Sequence, residues 1–91
     1  SSLVIDPSDS RVLYAGGRAG VEKSLDGGQT WTPMNEGLET LNVRTIAMST
    51  QDPQLLYLGT NGSGLYRSTD GARTWTPIPL TLKNDVDRRL S

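Results

Sequence analysis

Two carboxylates, Asp26 and Asp70, stand in matched surroundings. The first lies in Ser24-Leu25-Asp26-Gly27-Gly28-Gln29-Thr30-Trp31, and the second in Ser68-Thr69-Asp70-Gly71-Ala72-Arg73-Thr74-Trp75, a shift of 44 residues (24 to 68). A carboxylate flanked by hydroxyls and an aromatic is a place to look for acid–base chemistry or a cation site. A Ca²⁺ loop needs about 6–8 oxygens, and one carboxylate per turn falls far short. The turn chemistry fits better. Asp in a tight turn accepts hydrogen bonds from backbone N–H groups two or three residues on, and Gly27 or Gly71 permits the positive φ that such turns need. Ser24, Ser68, Thr30 and Thr74 can close the turn through their hydroxyls. Trp31 and Trp75 add the largest apolar surfaces of a chain with few aromatics, each with an indole N–H to satisfy. Both octets therefore read as hairpin clasps with a packing anchor.

Other chemistry is sparse. The chain has no His and no Cys, which removes the commonest general base and metal ligand, disulfides and thiolate sites. A glycosidase needs two carboxyl groups about 5–9.5 Å apart across a sugar. Asp6, Asp9 and Asp52 fall in turns on the clasp side; Glu36 and Glu39 fall together in one link, on the opposite side, with no matching acid in the second copy. No acid–base pair can be assigned, so the expectation is a non-enzyme, without cofactor or metal. Arg44 and Arg88 occupy equivalent positions where a first strand begins. With Arg18 and Asn61 on the loops of the same side, they are the candidate ligand face for carboxylates or phosphates held bidentately. Solvation, or pairing with nearby Glu39 and Asp87, is the plainer reading of those arginines and the one the weakness of surface pairs favours. Gly16-Gly17-Arg18-Ala19-Gly20 has no helix after it and reads as a hairpin, not a phosphate loop. Asn61-Gly62-Ser63 is a formal glycosylation sequon and also a strong hairpin turn.

The elements that must position these residues come from the repeat. Ten Gly and five Pro in 91 residues punctuate short strands. Leu3-Val4-Ile5 is followed by the turn Asp6-Pro7-Ser8-Asp9-Ser10 and by Val12-Leu13-Tyr14-Ala15. A third strand, Val21 to Ser24, runs into the clasp, and Thr30-Trp31-Thr32 opens a fourth. The order returns as Thr45 to Met48, Leu55 to Gly59, Leu65 to Ser68 and Thr74 to Ile78, shifted by 43 and then by 44 because one Gly-rich hairpin is a residue longer. No apolar stripe of helical period occurs, so an all-β fold of two four-stranded antiparallel meanders is expected.

Here the chain resembles a known family. The pattern Ser-x-Asp-x-Gly-x-Thr-Trp is similar to the Asp-box, or bacterial neuraminidase repeat, of β-propellers such as sialidases, xyloglucan-degrading glycoside hydrolases, sortilin-like receptors and photosystem assembly factors. The Asp-Pro turns and Leu-Tyr-x-Gly strands fit as well, over about residues 2–80. The resemblance implies four-stranded blades with the box between third and fourth strands, on the face away from any active site. Ser24, Asp26, Gly28, Thr30, Trp31, Ser68, Asp70, Thr74 and Trp75 are then structural. It also implies a secreted, periplasmic or lumenal setting. A sialidase would show an arginine triad and a Tyr–Glu nucleophile pair; Arg18 and Arg44 are not framed that way, and Tyr14, Tyr57 and Tyr66 sit within strands.

The expected organisation is a first blade with its link over residues 1–43, a second over 44–80, and a polar tail, 81–91, reaching toward a next blade. Beginning at Ser1 and ending where a third copy would start, the chain reads as a processed chain, an excised fragment or an engineered unit. Propellers carry about 4–8 blades, and repeat units need about three or more copies for stability. The expected partner is therefore a second copy, closing head-to-tail into a cyclic trimer or tetramer. Net charge is −1 and no apolar run reaches a membrane span, so neither nucleic acid nor membrane is expected as a partner. The other classes left open are a glycan- or small-anion-binding propeller and a piece of a larger glycoside hydrolase with its catalytic residues elsewhere.

Overall fold

A computed structural model describes residues 2–79. Arg88 and the tail 81–91 lie outside the described residues. Eight strands run in chain order: β1 (Ser2–Ile5), β2 (Leu13–Gly17), β3 (Gly20–Ser24), β4 (Thr32–Pro33), β5 (Val43–Met48), β6 (Leu56–Thr60), β7 (Leu65–Ser68) and β8 (Thr76–Ile78). They form two antiparallel meanders, β1-β2-β3-β4 and β5-β6-β7-β8. Among the described residues there is no helix.

Turn chemistry sets the hairpins. Asp6 Oδ1 accepts the Ser8 N–H at 2.8 Å and Asp9 Oδ1 the Arg11 N–H at 3.1 Å; Asp52 Oδ1 does the same for Gln54 at 3.0 Å. Such two-residue Asx contacts reverse the chain without help from a neighbouring strand. The β6–β7 turn closes on the Gly64 carbonyl, which accepts the Thr60 N–H at 3.0 Å and the Thr60 hydroxyl at 2.7 Å. The fourth strands begin later than the pattern predicts, at Thr32 and Thr76. Thr30 and Thr74 are taken by the clasp, whose carboxylate accepts their N–H groups and leaves none for a ladder. Pro33 and Pro77 sit on these outermost strands, where a missing N–H is tolerated.

The core lies between the two sheets. Tyr14 and Val21 come from the first sheet and Val43, Ile46, Leu56, Leu58, Tyr66, Ala72 and Trp75 from the second. Strand register explains the division. Val4 pairs with Tyr14 and Tyr14 with Lys23, so all three share the face of the first sheet that meets the second. Ile46, Leu58, Tyr66 and Pro77 are likewise cross-strand partners on the facing side. The opposite faces of both sheets have no neighbour among the described residues. Leu3 is 58% exposed on one, and Tyr57 and Leu65 are 40% and 43% exposed on the other.

The connection over residues 34–42 crosses the second sheet. The Glu36 carbonyl accepts the Trp75 N–H at 2.8 Å, and the Glu39 N–H donates to the Tyr66 hydroxyl at 3.3 Å. Gly37 holds φ +97° there, and a Cβ at that position would collide with the Trp75 carbonyl. Only glycine fits both demands.

Candidate functional site

The clasps are built alike. Ser24 Oγ donates to Asp26 Oδ1 at 2.8 Å and accepts the Gly28 N–H at 2.8 Å. Asp26 accepts the Thr30 N–H at 2.9 Å and the Thr30 hydroxyl at 2.6 Å. The second copy repeats this with Ser68, Asp70, Ala72 and Thr74 at 2.6–3.0 Å. Each clasp reaches four residues along the chain, two more than the Asx contacts at Asp6, Asp9 and Asp52. The Asp26 carboxyl is held at about 2, first by the Thr30 hydroxyl, then by the Thr30 N–H and the Ser24 hydroxyl; the Asp70 carboxyl is held at about 2 by Thr74 and Ser68 in the same order. A carboxylate this acidic, with its oxygens spent inside its own turn, is poorly placed to carry a proton at neutral pH. Position 28 and its counterpart 72 both lie at positive φ, +97° for Gly28 and +73° for Ala72. Ala72 adopts this uncommon backbone with its side chain wholly buried in the core.

The two tryptophans are not equivalent. Trp75 is 3% exposed, and its Nε1 donates at 2.9 Å to the Met34 carbonyl just beyond β4 of the other sheet. Trp31 is half-buried, and its Nε1 folds back to the Gly28 carbonyl of its own turn at 3.0 Å. The Gly71 carbonyl also faces the first sheet, accepting the Lys23 Nζ at 3.2 Å and, more loosely, the Tyr14 hydroxyl at 3.4 Å. Lys23 Nζ stands 5.1 Å from the centre of the Tyr14 ring, within cation–π range. Tyr14, Lys23, Gly71 and Met34 were not among the predicted site residues. A signal was available: a Tyr recurs at 57 and a cation at 67, each in register with 14 and 23.

On the candidate ligand face, Arg18, Asn42, Val43 and Arg44 line an open recess of about 540 Å³. Arg18 is at the tip of the β2–β3 hairpin. Arg44 occupies a break in register between Val43 and Thr45, and such bulges turn a side chain out of the ladder. Asn61 joins this corner through its N–H, which donates to the Asn42 carbonyl at 3.0 Å. Among the described residues the sole ion pair is Arg11–Asp9 at 3.1 Å, so neither arginine has a carboxylate partner there. Glu36 does not join them. It lines a separate recess with Asn35, Gly37, Leu38 and Arg73 beside Trp75, which corrects its expected place among the loops. The link must cross the second sheet at its outer strand before turning inward. No group of three or more His, Cys, Asp or Glu able to hold a metal ion occurs among the described residues.

The sheet pair superposes on known enzymes. The GH74 xyloglucanase from Xanthomonas campestris matches with TM-score 0.70 at 23% identity, covering 86% of this chain and 15% of that one. The GH74 enzyme of Niastella koreensis matches with TM-score 0.70 at 32% identity, over 86% of this chain and 13% of that one. An ancestral GH74 enzyme matches with TM-score 0.65 at 22% identity, over 85% and 12%. The fold is the β-propeller blade, present twice. The chain spans less than a sixth of each of these enzymes. No protein-family model and no curated relative matches it.

Proposed function

We propose that this chain is a non-catalytic pair of Asp-box blades, bounded at residues 1–43 and 44–80, whose two open faces pack head-to-tail on further copies to complete a propeller. One observation carries the reading: positions equivalent under the repeat are buried at the contact inside the chain and exposed where it has no neighbour. Tyr14 is 1% exposed and Tyr57 40%; Val21 is 0% and Leu65 43%; Ile46 is 4% and Leu3 58%. The side chains that seal the inner contact thus stand ready on both outer faces. Fully burying such a side chain contributes about 1.5–3 kcal/mol, whereas association costs about 4–15 kcal/mol. One open contact is therefore marginal, and a ring, which leaves no face bare, is favoured over a linear pair. Three copies give six blades and four give eight, both within the usual range. Light scattering tests it: a ring-sized mass supports the reading, and a folded single chain contradicts it.

A second reading rests on the bulged Arg44 and on Arg18, which has no carboxylate partner among the described residues. Their recess suits a small carboxylate or phosphate, including an acidic glycan. Titration with inorganic phosphate or a uronic acid should raise the melting temperature, less so in Arg44→Ala; no shift in the parent chain contradicts it. The 32% identity to the Niastella koreensis enzyme supports a third, two blades of a larger glycoside hydrolase with its catalytic residues elsewhere. A parent gene that continues the repeat would favour it, and one that encodes two blades alone would contradict it.

A further inference from the structure

The contact inside the chain prescribes the contact between chains. Blade 2 meets blade 1 through two polar groups of its clasp: Trp75 Nε1, donating to the Met34 carbonyl, and the Gly71 carbonyl, accepting from Lys23 and Tyr14. Under the repeat, the clasp of blade 1 offers Trp31 Nε1 and the Gly27 carbonyl, and the outer face of blade 2 offers the Ile78 carbonyl, Arg67 and Tyr57. Gly71 is buried, whereas Gly27 is exposed with open space around it. Trp31, lacking the acceptor that Trp75 finds, bonds within its own turn.

Resting on the head-to-tail reading, we propose that Trp31 is an exchange clasp. On association its Nε1 leaves the Gly28 carbonyl and donates to the Ile78 carbonyl of a second copy. The Gly27 carbonyl then receives the Tyr57 hydroxyl and the Arg67 guanidinium of that same copy. Leu3 packs beside them against the sheet that carries Leu65, as Ile46 packs on the sheet that carries Val21. The tryptophan bond is exchanged, not gained, so it adds little net energy and selects register. Apolar burial of Leu3, Tyr57 and Leu65 supplies the drive. The partner is specified by chemistry: another blade edge with an outward Tyr, a cation in register with it, and a backbone carbonyl at the end of its outer strand.

A photo-reactive phenylalanine analogue at position 57, in a mixture of unlabelled and isotope-labelled chains, tests this directly. The expected intermolecular adducts lie in residues 26–31 of the other copy. Trp31→Phe removes one bond from both the free and the associated chain, so it should change affinity by no more than a few-fold and lower the isolated chain's melting temperature slightly. The adducts should then spread beyond residues 26–31 as the register relaxes; adducts confined there as in the parent would deny Trp31 that role. Adducts around position 57 of the other copy, in a sample of oligomeric mass, would show like faces meeting and would overturn the proposed register while leaving association intact. A single-chain mass without intermolecular adducts would overturn the register and the head-to-tail reading together.

Discussion

At the residue scale, Asp26 and Asp70 each hold a turn with one carboxylate, and the same contacts fix how folding responds to acid. Their folded values of about 2 lie below the ordinary 3.8, so the unfolded chain takes up these protons first. The stabilisation is whole above about pH 4 and is lost as pH falls from there toward about 2. Melting temperature should drop across that interval, and the drop should flatten in the double variant Asp26→Asn, Asp70→Asn; an unchanged acid limb would refute the assignment. Asp70→Ala should lower the melting temperature more than Asp26→Ala. Its turn holds the buried Ala72 and Trp75, whereas Gly28 and Trp31 are half-buried.

Among elements, the link over residues 34–42 and the second clasp act as one unit. Trp75→Phe removes the bond to the Met34 carbonyl and part of a buried ring, an expected loss of about 1–2 kcal/mol; Trp31→Phe in the unassociated chain should cost less than half of that. Gly37→Ala pits a methyl against the Trp75 backbone at a left-handed φ, an expected loss of about 3 kcal/mol by denaturant melts. A loss below about 1 kcal/mol would mean that the link is not packed as described. The strands themselves were legible in the sequence, since Gly, Pro and Asp punctuate them and the repeat aligns them twice. Three features were not: the late start of β4 and β8, the bulge at Arg44, and the path of Glu36. Each depends on a competition that spacing does not encode, between clasp and ladder for the Thr30 and Thr74 N–H groups, or between loop and neighbouring sheet for the link.

For the whole molecule, the repeat made Trp31 and Trp75 look alike, and the structure separates them because, among the described residues, only Trp75 has a neighbouring blade to bond. The same asymmetry divides Tyr14 from Tyr57 and Val21 from Leu65. Replacing both Tyr57 and Leu65 by Lys puts charge on the outer face of blade 2 without touching the inner core; it should abolish association while leaving the far-ultraviolet circular dichroism unchanged. Loss of the β signal instead would assign these residues to folding of the single chain. The most direct test is the molar mass of the parent chain by light scattering across a dilution series. A closed ring requires three or four times the 9.9 kDa of one chain, with no further growth at high concentration; a well-folded species of single-chain mass throughout would contradict it.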